Sequence, residues 1–202
     1  MKQLRVLVAC EFSGTVLDIL NDGFDLIIAH PPCTYLCRSG LHWNKRVPGR
    51  EDMTSEALAF VLQIMGADCP HIAIENPVGR IGSAIRPADQ YIHPWQFGHD
   101  ASKRTGLWLK GLPLLVDSPE QHVAPRSVMH NGKLCKRWAN QTDSGQNALP
   151  PSADRWALRS ETYSGIAAAV ADQWGSAIEP RFSRAARFAL GPGLSDAILD
   201  SI

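Results

Sequence analysis

Two short stretches carry side chains able to do covalent chemistry. In the first, the apolar run Leu26-Ile-Ile-Ala29 leads through His30 to Pro31-Pro32 and then to Cys33. Proline can neither donate a ladder hydrogen bond nor continue a helix, so a strand ends there and the thiol hangs from its carboxyl end. In the second, His71-Ile-Ala-Ile-Glu-Asn-Pro77 is another apolar run stopped by proline, which puts Glu75 and Asn76 at a strand's carboxyl end. In an open α/β sheet, ligands bind in the crevice beyond those ends. A thiol and a carboxyl on neighbouring strand ends suit covalent catalysis on a planar heterocycle. The thiolate adds to a ring carbon, and the carboxyl donates to, or stabilises, the ring nitrogen that takes up charge. Such chemistry asks for a protonated Glu75, its pKa raised by burial, and for a Cys33 thiolate favoured by positive neighbours; Arg38 and His30 are the nearest in sequence. The competing assignment for Cys33 is a small, packed, inert residue.

The elements needed to position these groups follow from pattern. The chain has 202 residues, 45% of them hydrophobic, enough for one sizeable core and, by expectation, one domain with a tail. Its formal charge is zero, so no global field steers it toward nucleic acid and any such contact must come from local clusters. Five cysteines, an odd number, with no signal peptide or long apolar run, predict a reduced, cytoplasmic protein that does not enter membranes.

Leu4 to Cys10 reads as a first buried parallel strand, Glu11 to Gly14 as a strand-to-helix loop, and Thr15 to Asn21 as a short helix. This strand–helix–strand unit makes the first strand and the Cys33 strand parallel neighbours. Trp43 to Arg50 is a surface loop whose Lys45, Arg46 and Arg50 could meet phosphates or simply be solvated. Glu51 to Gly66, with Met53, Ala57, Phe60, Val61, Ile64 and Met65 at helical spacing, predicts an amphipathic helix over one sheet face.

Residues 78 to 105 show no period and are expected to form a long irregular connection, with Lys103 and Arg104 at the start of a strand, Gly106 to Lys110. Leu112 to Pro151 is turn-rich, and its Arg126, Lys133, Lys136 and Arg137, interleaved with His130 and Trp138, suit nucleic acid. Ser164 to Trp174 reads as a capped structural helix with Ile166, Val170 and Trp174 on one side. Beyond Gly175 a poorly ordered tail is expected, with one short helix at most, near Ser195 to Ile202. His30, Cys33, Cys37 and His42 lack paired Cys-x-x-Cys spacing, so no metal is assigned to them, and Cys37 is taken as a packed loop residue.

His30-Pro-Pro-Cys-Thr-Tyr-Leu-Cys-Arg-Ser-Gly40 resembles the Pro-Cys loop of cytosine-5 DNA methyltransferases, and Ile74-Glu-Asn-Pro77 resembles their Glu-Asn motif. Cys10-Glu-Phe-Ser-Gly14 resembles their first S-adenosylmethionine loop. The similarity is greatest to small phage and prophage members, and it extends through Ser102 to Pro113 and Pro150 to Trp156, covering roughly residues 4 to 175. The resemblance implies a Rossmann-like, mostly parallel S-adenosylmethionine-dependent methyltransferase sheet, with a catalytic domain over 1–175 and a tail over 176–202. It implies that Cys33 attacks C6 of a flipped cytosine while Glu75 engages N3 and the exocyclic amine. Cys10, Glu11, Phe12, Ser13, Gly14, Pro31 and Pro32 would hold the cofactor, and Asn76, Arg38, Lys45, Arg46, Lys103 and Arg104 would meet DNA inside a bacterial host cell. The chain departs from the family between Thr15 and Phe24, where a strand bearing an acidic ribose ligand is missing as if deleted; one βαβ unit needs about 30 residues. The region for target recognition is also short, which leaves room for a partner protein. Two other functions fit the same residues: a non-catalytic DNA-binding relative that has lost the cofactor, and a methyltransferase acting on exocyclic amines, which needs no thiol.

Overall fold

The computed structural model describes residues 4–9, 20–152, 155–160 and 162–178. The expected loop Cys10 to Gly14, most of the expected helix Thr15 to Asn21, and the sequence after Ile178 lie outside the described residues. In chain order the elements are β1 (Val6–Ala9), β2 (Leu26–Ala29), α1 (Cys33–Leu36), α2 (Arg38–Leu41), α3 (Arg50–Gly66), β3 (Ile72–Pro77), α4 (Arg80–Ala84), β4 (Gln90–Ile92), β5 (Thr105–Lys110), β6 (Arg126–His130), β7 (Lys133–Arg137), α5 (Arg155–Ser160) and α6 (Ser164–Ile178). Single 3-10 turns lie at Pro94–Phe97 and Pro119–Gln121.

The protein is α/β with a five-stranded mixed sheet in the order β1-β2-β3-β5-β4. β1, β2 and β3 are parallel neighbours, with Ala9 opposite Ala29 and Ala29 opposite Ile74. β5 runs antiparallel to both β3 and β4. The sheet is therefore parallel only in its first half, not throughout most of its pairings. The chain passes from β4 to β5 without a crossover helix, and such a return makes antiparallel neighbours.

The alternation of side chains along β2 and β3 decides what reaches the site. Ile27, Ala29, Ile72 and Ile74 point to one face, where α3 covers them with Ala57, Phe60, Val61 and Ile64. Each of the isoleucines, Val61 and Phe60 contributes roughly 1.5–3 kcal/mol by leaving water. Ile28, His30, Ala73 and Glu75 belong to the opposite face, beside Ile166, Val170 and Trp174 of α6. Trp174 is held there by its indole N–H, which donates to Pro113 O at 2.9 Å. At the other end of α6, Gly165 N–H donates to His99 Nε2 at 2.9 Å, and α6 continues past the expected boundary at residue 175 to Ile178.

Two stretches expected to be irregular contain structure. Residues 78 to 105 hold α4, β4 and the first 3-10 turn. Within Leu112 to Pro151, β6 and β7 form a separate two-stranded hairpin. Its turn, Asn131-Gly132, has φ of 49° and 72°, the left-handed pair that a two-residue hairpin turn requires.

Candidate functional site

The Cys33 segment is fastened to the end of β3 along its whole length. His30 Nδ1 meets Glu75 Oε2 at 2.7 Å. One residue further, Asn76 Nδ2 donates to Pro31 O at 2.8 Å. Arg38 N–H donates to Val78 O at 3.0 Å, and Cys37 forms an isolated antiparallel bridge with Gly79. Gly79 is required by this approach, since a Cβ there would fall 1.9 Å from Leu36 O. From the other side, Arg50 Nη2 donates to Thr34 O at 2.8 Å and its guanidinium sits 5.1 Å from the centre of the Tyr35 ring. Thr54 Oγ1 donates to Tyr35 O at 3.1 Å. A loop tied at both ends in this manner holds a reactive side chain with little slack.

The electrostatics differ from the expectation on two points. Burial would raise the Glu75 pKa, but the hydrogen bond from His30, the Lys103 ammonium 4.0 Å away and the Thr105 hydroxyl outweigh it. Glu75 is therefore held as a carboxylate, below the usual range, rather than protonated. The Cys33 thiol, for its part, is not the acidic one. Cys33 and Cys37 hydrogen-bond each other, so one thiolate is favoured and the second proton is retained. That hydrogen bond, helped by Ser39 Oγ at 3.1 Å, Gly40 N–H and Arg159, and opposed by burial, pulls Cys37 down to about 5. The same bond, then burial and the neighbouring negative charge, push Cys33 far above the ordinary thiol range despite Lys103 and Arg159. The arrangement is a thiol with a thiolate base beside it.

Of the residues singled out in the sequence, Cys33, Glu75, Asn76, Pro31 and Lys103 are brought together. Asn76 is 1% exposed and serves to position Pro31 rather than to face a ligand from the surface. Arg104 stands apart from Glu75, its guanidinium 4.2 Å from the centre of the Tyr91 ring. Arg38, Lys45 and Arg46 are exposed, with Arg46 5.7 Å from the Trp43 ring centre. Arg50, a candidate phosphate contact, is engaged with Thr34. The positive neighbours of the thiols are Lys103 and Arg159, not Arg38 and His30. Cys37 and Arg159 were missed. For Cys37 a signal existed, since Cys-x-x-x-Cys places two thiols one helical turn apart; Arg159 is distant in sequence and left none.

Between the sheet and α6 lies a cavity of about 480 Å3, within the roughly 300–1,000 Å3 usual for small-molecule sites. Val8, Ile28, Leu107, Ile166 and Val170 form apolar walls, while His30, Glu75, Lys103 and Thr105 give it polar lining. No protein-family model matches this chain, and no curated protein shows significant similarity to it. Among the described residues no helix is long and apolar enough to cross a membrane.

Proposed function

We propose that this chain is a DNA cytosine-5 methyltransferase built on a shortened Rossmann-like sheet, with Cys33 as nucleophile. The observation that carries this reading is the fastening of His30-Pro31-Pro32-Cys33 onto Glu75-Asn76, which puts a thiol with an adjacent base and a carboxylate with an adjacent imidazole at one sheet edge. Covalent activation of a pyrimidine asks for both.

In this mechanism the target cytosine leaves the base stack, because ring addition needs a face that stacking covers. Cys33 Sγ adds to C6 and its proton passes to the Cys37 thiolate. The Glu75 carboxylate accepts the exocyclic amine N–H, while the proton held between His30 Nδ1 and Glu75 Oε2 is available to N3 as charge builds there. Lys103 and Thr105 keep Glu75 oriented. S-adenosylmethionine, when bound, would supply the electrophilic methyl group for C5 and leave as S-adenosylhomocysteine. A base then removes the C5 proton, and Cys33 departs with restoration of the ring. The cavity's volume and its apolar walls at Ile28, Ile166 and Val170 would suit the adenine of the cofactor, with Pro31 and Pro32 following His30 at its polar lining; the loop Cys10 to Gly14, expected from its sequence to hold the cofactor, lies outside the described residues.

The test is incubation of purified protein with duplex DNA and S-adenosylmethionine, followed by mass analysis of the released nucleosides. 5-Methylcytosine formed by the wild type and lost in Cys33→Ser is the expected result. N4-methylcytosine, surviving in Cys33→Ser, would establish amine chemistry instead, and no product from a folded protein that binds DNA would leave a non-catalytic binder.

A further inference from the structure

The β6–β7 hairpin carries features that the catalytic centre does not use. Its root is pinned to the segment leading into the site. Ser102 N–H donates to Asn140 Oδ1 at 2.9 Å, Asn140 Nδ2 donates to Ser102 O at 3.1 Å, and Trp138 stacks on Trp95 with ring centres 5.6 Å apart. Ser102 immediately precedes Lys103, whose ammonium lies 4.0 Å from Glu75. Beyond the root, Met129 and Leu134 are directly opposed across the two strands. They are 64% and 72% exposed. Two large apolar side chains side by side in water contribute only a cross-strand contact of roughly 0.2–1 kcal/mol, and leave most of their surface exposed on a ribbon that is marginal to begin with.

The charges point to the occupant. From Arg126 to Arg137 the hairpin contains Arg126, Lys133, Lys136 and Arg137 and no carboxylate. Arg126 is taken up by Asp143 at 2.6 Å and Arg137 by the Asp143 carbonyl at 3.1 Å. Lys133 and Lys136 are exposed, with no side-chain partner among the described residues. Lys136 stands on the same face of the ribbon as Met129 and Leu134, and Lys133 on the opposite face beside the turn. An apolar pair with a free ammonium group on its own face is complementary to stacked bases beside a phosphate. Apolar side chains of this kind enter base steps, offsetting an unstacking cost of a few kcal/mol with the surface they bury.

We propose that the β6–β7 hairpin is a wedge for duplex DNA, with Met129 and Leu134 entering the base stack and Lys136, on the same face, contacting a flanking phosphate. The proposal rests on the methyltransferase reading for the choice of DNA. It adds to that reading the device that opens, or fills, the stack from which a cytosine departs.

The experiment uses the full chain with Cys33→Ala, so that no covalent step intervenes, and a duplex with 2-aminopurine at successive positions. Binding with the unaltered hairpin should raise 2-aminopurine emission at one step. Met129→Ala/Leu134→Ala should abolish the rise and weaken binding about tenfold, with an unchanged circular dichroism spectrum because both side chains are exposed. Lys136→Gln should weaken binding and lower the salt dependence by roughly one unit, yet keep the rise at saturating protein. Unstacking that survives the apolar double substitution overturns the wedge, and so does failure to bind DNA at all. Self-association or binding to anionic vesicles that the double substitution abolishes, without DNA unstacking, would assign the face to a second copy or a membrane and overturn it equally. In a parallel incubation with Cys33 intact, a Cys33 adduct on 5-fluorocytosine DNA without hairpin-dependent unstacking removes the wedge alone; unstacking without an adduct there removes the methyltransferase reading alone.

Discussion

Around Cys33 the polar groups of the chain are taken up in holding the chain itself: Asn76 holds Pro31, Arg50 holds Thr34, and His30 engages Glu75. On the β6–β7 hairpin, Met129, Leu134, Lys133 and Lys136 face solvent instead. The contrast separates two tasks. Chemistry needs a few atoms fixed on rigid elements, and each fixing contact carries stability with it. Recognition can be carried by side chains that contribute little to the fold and are therefore free to differ.

Substitutions at the two regions should differ accordingly. Ile74→Ala, behind Glu75 in the buried face of β3, should reduce unfolding free energy by about 2–5 kcal/mol, whereas Leu134→Ala should change it by about 0.5 kcal/mol or less; urea denaturation measures both. Equal losses would erase the distinction. Gly79→Ala should cost about 1–3 kcal/mol, because the new methyl collides with the Leu36 carbonyl and the backbone must give way. Asn76→Ala should cost about 1–3 kcal/mol through the unpaired Pro31 carbonyl, and should slow reaction of Cys33 in proportion to the slack it introduces, which a rate of adduct formation would show.

Two smaller effects concern protons. Since the folded Glu75 pKa lies below the ordinary 4.5, its contribution to stability is complete above that value and disappears as pH falls through the lower folded one. Glu75→Gln should thus flatten the acid limb of a stability–pH curve, and an unchanged limb would deny the His30 and Lys103 contacts. Thiolate absorbance should already be present well below pH 7, following the Cys37 titration near 5. Cys33→Ala should move that titration upward, because the hydrogen bond from Cys33 is its leading cause.

Proline punctuation made the strand ends at Cys33 and Glu75 legible in sequence: Pro31-Pro32 and Pro77 fixed where two strands stop, and apolar runs ahead of them fixed that they were buried. The helix Arg50–Gly66 was equally plain from its period. The direction of β5 was not, since an apolar run of six residues carries no sign of which way its neighbour runs. β4 spans Gln90–Ile92, too short for any alternation to show. The hairpin had a local signal in Asn131-Gly132, but its strands mix basic and apolar residues because so little of either face is buried. The charge state of Glu75 depended on His30 and Lys103 across the sheet edge, and that of the thiols on Arg159; such contacts exist only after folding.

The central claim is that Cys33, relieved of its proton by Cys37, forms a bond to a pyrimidine. Its most direct measurement is denaturing electrophoresis and peptide mass mapping after incubation of the protein with S-adenosylmethionine and duplex DNA containing 5-fluorocytosine, where the fluorine blocks release. A covalent complex mapped to Cys33, absent in Cys33→Ser and slowed in Cys37→Ser, is the predicted result. A folded, DNA-binding protein that forms no adduct, or forms one at another residue, would contradict it.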